Sequence, residues 1–238
     1  MRNKKPNQYS YNNHDTRERK FVNKNFSKTD NYHSNFSETL FQNTSFVGAK
    51  FKFCALYGAR FENCLIRGAL FRGCNLTAAV FKDSIISAAV FERCKLSGCT
   101  FENCKIVPTS KLKNLLPDIS FPDTDFFDAY PSSEGFNHDL IEIVESLRSC
   151  DLIRQSTVLH RKKGMLDTVS LKVLVEEFGE EFLTQELRSL PALINNSFHT
   201  LSYINHILRK RKGCDKKGVP GPIAHGAPIL TNECLSTD

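Results

Sequence analysis

The sequence predicts a mainly β protein, a solenoid over residues 21–107, joined to a small α-helical domain over residues 136–213. Two patterns and the place where they stop carry that prediction. Large apolar residues recur every five positions, as Phe21, Phe26, Phe36, Phe41, Phe46, Phe51, Leu56, Phe61, Ile66, Phe71, Leu76, Phe81, Ile86, Phe91, Leu96, Phe101 and Ile106; Asn31 is the one polar residue in this register. A small residue stands two positions before each centre from Ser34 to Cys104. A step of five turns an α-helix by about 140° and moves a flat strand from face to face, so neither regular element keeps these side chains together. A chain that turns a corner every five residues does. Beyond Pro108 the period is lost and apolar residues return at helical spacing.

Residues 1–20, MRNKKPNQYSYNNHDTRERK, are polar and basic and read as a disordered arm without the apolar core of a secretory signal. Residues 1–35 carry eight Lys/Arg against three Asp/Glu, residues 36–106 nine against five, and residues 107–238 fifteen against eighteen, so the formal charge of +6 sits in the first half. Solubility and a charged tail account for so modest an excess without nucleic acid as a partner. No stretch approaches the roughly 18 to 20 apolar residues of a membrane-spanning helix. The sequence therefore predicts a soluble, cytoplasmic protein whose nine cysteines are reduced.

Over residues 21–107 the large centres and the small residues before them resemble the pentapeptide-repeat family. That resemblance implies a right-handed, quadrilateral β-helix in which twenty residues complete a coil. From Phe51 the pattern sharpens to a ten-residue unit, as in FENCLIRGAL and FRGCNLTAAV. Folded at twenty, Phe51, Phe71 and Phe91 stack on one side, and Phe61, Phe81 and Phe101 on the opposite one. Leu56, Leu76 and Leu96 fill the third side, and Ile66, Ile86 and Ile106 the fourth. The polar pair Asn31 and Tyr32 marks an irregular first coil.

The cysteines fall in the small register. Cys54, Cys74 and Cys94 share one stack, and Cys64, Ser84 and Cys104 another, so Ser and Cys interchange and volume explains them. Successive small residues go to different sides of the coil, which does not converge four ligands on zinc. Stacked thiols at the coil spacing lie beyond the usual disulfide range. The reading includes no metal and no cofactor.

Function in such a solenoid belongs to its exterior. Leu65 with Ile85, and Leu70 with Val90, face outward on adjoining sides, with Val80 on the next. Contiguous outward apolar side chains mark a contact surface for a partner, for a second copy of the chain, or for the chain's own C-terminal helices.

Residues 108–135, with Pro108, Pro117, Pro122 and Pro131, read as a connector onto which Phe121, Phe126 and Phe127 bring packing surface. Three helices follow. The first spans about 138–155 with Leu140, Ile143, Val144 and Leu147 on one face; the second spans about 168–188, capped by Asp167 or Thr168 and weakened at Gly179. The third opens at Pro191, carries Ile194, Phe198, Leu201, Ile204 and Leu208, and stops near Gly213. Arg209, Lys210, Arg211 and Lys212 form a candidate basic patch that also suits a helix C-terminus. Residues 214–238 read as a disordered tail.

The seven histidines are scattered and accompany no HExxH, P-loop, GxSxG or paired-carboxylate pattern, so no catalytic residue is assigned. The first functional reading is a non-catalytic protein–protein interaction or scaffold protein with an unidentified protein partner. Family resemblance supplies two others. Some pentapeptide-repeat proteins protect topoisomerase by mimicking DNA with an acidic face, which the positive charge here disfavours. Certain bacterial effectors delivered into the host cytoplasm join a β-helix to helices and a HECT-like ligase lobe; this chain would be a relative without that lobe, and neither Cys214 nor Cys234 is assigned as nucleophile.

Overall fold

Two residues after each centre the backbone takes a left-handed step, and that step turns the corner. Positive φ values recur at five-residue intervals from Asn13 to Asn103; one corner is lined by Asn23, Asn43, Asn63, Asp83 and Asn103, and another includes Gly48 and Gly68. Asn, Asp and Gly adopt this conformation at the lowest steric cost. The computed structural model describes residues 9–109 and 119–213.

Three of the four sides are parallel sheets. The first is built from β1 (Lys20–Val22), β3 (Leu40–Gln42), β5 (Arg60–Glu62), β8 (Val80–Lys82) and β11 (Thr100–Glu102). The second holds β6 (Leu65–Arg67), β9 (Ile85–Ser87), β12 (Lys105–Val107) and β13 (Asp125–Phe126), and the third holds β2 (Asp30–Tyr32), β4 (Lys50–Lys52), β7 (Leu70–Arg72) and β10 (Val90–Glu92). The fourth side is a ladder of single bridges linking Asp15, Asn35, Ala55, Asn75 and Lys95. Partners lie twenty residues apart, as in Phe61 with Phe81 and Ile86 with Ile106.

The expected core forms. Phe61, Phe81 and Phe101 stack with ring centroids 4.6 Å apart and planes within 6° and 3° of parallel. Phe71 and Phe91 stack at 5.0 Å, and Leu56, Leu76, Ile66 and Ile86 are fully buried beside them. Burying each such side chain contributes about 1.5–3 kcal/mol.

The solenoid is longer than the apolar register suggested. Asn31 is buried and keeps the coil regular: its Oδ1 accepts the Tyr11 N–H at 3.0 Å, and its Nδ2 donates to Thr29 Oγ1 at 2.9 Å and to the Lys50 carbonyl at 3.1 Å. The amide thus replaces apolar contact with three hydrogen bonds, and the expected irregularity is absent. Residues 9–20, anticipated as disordered, lie in an earlier coil, with Tyr11 stacked on Phe26 at 5.6 Å and Asn12 bridged to Tyr32; residues 1–8 lie outside the described residues.

At the other end the run of left-handed steps stops at position 108, where the ring of Pro108 holds φ near −65°. The register returns at Phe121, which stacks on Phe101 at 5.2 Å, and at Asp123, with φ of 51°. Phe126 pairs with Ile106. Part of the anticipated connector is therefore a further coil, while residues 110–118, like the tail 214–238, lie outside the described residues.

The helical half is more divided than periodicity indicated. α1 (His138–Ser146) is capped by Asn137 and passes through a 3-10 turn to α2 (Asp151–Ser156). Cys150 between them is extended. Asp167 caps α3 (Thr168–Phe178) by accepting the Ser170 N–H, and Gly179, at φ of 82°, separates it from α4 (Glu180–Glu186). Pro191 lies in the short α5 (Leu190–Leu193); the last helix, α6 (Leu201–Arg211), starts after Thr200 rather than at Pro191 because Ile194 is extended. Ile194 and Phe198 are buried nonetheless, from a loop instead of a helix.

Candidate protein-interaction surface

The helices pack along the second side of the solenoid. Leu65, Ile85 and Val107 of that side share one buried cluster with Leu140, Val144, Leu171, Leu174 and other helical side chains. Two basic residues fasten the contact. Arg67 pairs with the fully buried Asp167 and donates from Nη1 to the Thr157 carbonyl at 2.9 Å. Lys105 bridges Asp125 at 2.5 Å and Glu176 at 2.8 Å. Burial pulls the Lys105 ammonium down, but the two carboxylates outweigh it and hold it above the usual lysine value.

The candidate contact residues therefore divide. Leu65 and Ile85 are buried under this chain's own helices. Leu70 and Val90 remain on the third side, in register with Lys50, where Val90 is 38% exposed. Val80 lies on the first side, between Arg60 and Thr100, and so belongs to a different surface.

The basic patch is largely committed inside the helical domain. Arg209 pairs with Glu177 at 2.5 Å and Arg211 with Glu186 at 2.6 Å. Lys212 donates to the Glu177 carbonyl at 3.3 Å and lies over the Phe178 ring. Lys210 is exposed at the helix end.

In the small register, volume is only half of the explanation. Each hydroxyl or thiol from Thr39 onward donates to the carbonyl of the centre one coil earlier: Thr44 to Phe21 at 3.0 Å, Cys74 to Phe51 at 3.3 Å, Ser84 to Phe61 at 3.2 Å and Cys104 to Phe81 at 3.3 Å. The interchange of Ser, Thr and Cys, legible in the sequence, is the trace of that shared donor. Burial pushes the thiols of Cys64, Cys99 and Cys104 up, the last two to about 12, which removes them as nucleophiles at neutral pH. All seven cysteines among the described residues are free thiols.

His160 is buried, with Nε2 at 2.9 Å from the Val144 carbonyl. Burial lowers its pKa, so the ring is held neutral. Among the described residues, His138, Asp139 and Glu142 bring three potential metal ligand atoms within 4.8 Å, all exposed in the first half of α1. Among those residues, no helix is long and apolar enough to cross a membrane.

The family model for pentapeptide repeats matches residues 25–63 and 64–103 in eight copies. Residues 25–103 are pentapeptide repeats. Solved structures similar to this pentapeptide-repeat solenoid include Rfr23, a pentapeptide-repeat protein from the cyanobacterium Cyanothece 51142, at 9% identity and a TM-score of 0.34, covering 50% of this chain and 88% of that one. QnrB1, a plasmid-mediated fluoroquinolone resistance protein, matches at 15% identity and a TM-score of 0.25, covering 50% and 90%. HetL, involved in heterocyst differentiation regulation in the cyanobacterium Nostoc sp. strain PCC 7120, matches at 13% identity and a TM-score of 0.17, covering 50% and 87%. No curated protein matches the chain. The pentapeptide-repeat coils and the helices beside them thus form a β-solenoid protein with a C-terminal helical region.

Proposed function

We propose that the protein is a non-catalytic interaction or scaffold protein, its solenoid acting as a stiff frame that holds the helical domain on one side and offers another to a protein partner. One observation carries this reading. Two outward apolar pairs line adjoining sides: Leu65 and Ile85 are buried by the helices, whereas the Leu70 and Val90 side keeps Val90 open. An outward apolar pair gains little in folding when left in water, and such patches mark contacts. The thiols of Cys64, Cys99 and Cys104, kept protonated by burial, and the neutral His160 support a role without covalent chemistry.

The test compares proximity labelling and co-purification for the intact chain and for Leu70→Gln/Val90→Gln, since Gln removes the apolar surface without stacking a new charge beside Lys50. The expected result is an unchanged melting profile with loss of the labelled partner. A partner retained at full yield by the double variant overturns the assignment of this side. Ubiquitin thioester formation on the chain overturns the non-catalytic reading itself.

A further inference from the structure

Phe53 is out of keeping with its position. It occupies a left-handed corner step, at φ of 54°, and half of its side chain, 50%, faces solvent. In the same corner column stand Asn13, His33, Gly73 and Arg93. A bulky aromatic residue is a conformational outlier at positive φ, and the exposed half of the ring gains nothing from folding.

Its surroundings are built to hold the ring. His33 stacks on it at 5.4 Å with planes 18° apart, and Tyr32, itself exposed, meets it edge-on at 5.9 Å. On the following coil Gly73 leaves the space the ring needs, because a Cβ there would come within 2.7 Å of Phe53. The result is an aromatic ledge at the corner where the third side ends, beyond the column of Lys52 and Arg72.

The two carboxylates of the third side are already paired. Lys52 pairs with Asp30 at 3.0 Å and Arg72 with Glu92 at 2.8 Å. Lys50, Arg93 and Lys95 are exposed and pair with no carboxylate among the described residues. Apolar surface with exposed, unpaired cations on its corner column and on the two sides that meet there is complementary to a segment with acidic side chains around an apolar anchor.

We propose that this corner docks a linear, acidic segment of a partner protein, with an aromatic or large aliphatic anchor seated on Phe53 and Tyr32 and carboxylates meeting Lys50, Arg93 and Lys95. The proposal rests on the interaction reading above and names the partner's chemistry. It is tested by displaying a random-peptide library against the full chain and measuring the selected peptides by fluorescence anisotropy.

Enriched peptides are expected to combine Asp or Glu with Trp, Phe or Leu. Their affinity is expected to fall by about tenfold or more in Phe53→Asn, and again in Arg93→Glu/Lys95→Glu. It is also expected to weaken as NaCl rises from about 50 to about 300 mM. Asn suits the left-handed step, so Phe53→Asn is expected to melt no lower than the intact chain; loss of binding together with retained stability separates a contact residue from a structural one.

Failure to enrich any peptide, enrichment without an acidic bias, or binding indifferent to Phe53→Asn overturns the proposal. So does displacement of the peptide by a single-stranded oligothymidine, or self-association abolished by the same variant, which would assign the ledge to nucleic acid or to a second copy. A cellular partner that is captured equally by Phe53→Asn leaves the interaction reading standing and removes this corner from it.

Discussion

At the scale of single residues, Asn31 shows how a polar side chain can take a core place. Its amide closes three hydrogen bonds, one of them to the N–H of Tyr11 in the preceding coil. Asn31→Leu restores the apolar pattern yet leaves that N–H without its partner, which costs about 1–3 kcal/mol. The expected outcome is a lower urea midpoint, together with loss of amide-exchange protection at His14 and Thr16, whose N–H groups are bonded to the next coil. A stability equal to or above that of the intact chain would show that the amide bonds are dispensable. The sequence displayed Asn31 only as an exception, because periodicity registers what a side chain lacks and not what it bonds. The left-handed steps were legible in principle: Asn23, Asn43, Asn63, Asp83 and Asn103 stand twenty apart in the sequence and one above another in space.

At the scale of elements, each aromatic column is a continuous stack, so its middle members tolerate least. Phe81 lies between Phe61 and Phe101 at 4.6 Å on either side. Phe81→Ala is expected to cost about 3–5 kcal/mol in chemical denaturation, with an unchanged contact surface elsewhere. The helices were legible as apolar faces but not as separate pieces, because a single residue's backbone angle at Cys150, Gly179 or Ile194 divides them while their side chains still reach the core. The buried His160 and the half-buried His199 add a pH response. Burial lowers the pKa of His160 and of His199 from the usual 6.5, so the unfolded chain binds protons that the folded one refuses. Their contribution to stability is therefore complete above about pH 6.5 and declines as the pH falls below it. Urea midpoints at pH 7.5 and 5.5 should show the drop, and His160→Gln should reduce it; a pH-independent midpoint would mean that these rings are not held neutral.

At the scale of the whole molecule, the junction between solenoid and helices rests on Arg67 and Asp167 as much as on apolar contact. Asp167 is fully buried while its partner reaches across from the second side. Arg67→Ala leaves that carboxylate uncompensated, an expected cost of about 3–5 kcal/mol. Rapid amide exchange at Leu171 and Leu174 and protease cleavage between the halves would report it, and an unchanged digestion pattern would show the apolar cluster to be sufficient alone. The sequence offered no sign of this pair, since one hundred positions separate its members. It did single out Leu65 and Ile85 as exposed in an isolated coil, which is why their burial identifies the side the helices occupy.

The twenty-residue repeat of every pairing also makes length in this half quantised. Removing one pentad between Phe51 and Phe61 would rotate all that follows by a quarter turn about the axis, re-aiming Leu65, Ile85 and the helices they carry together against the coils before the deletion. Removing a complete circuit would keep every compass direction and shorten only the column. Such a chain can change its reach in whole storeys without re-aiming anything it carries.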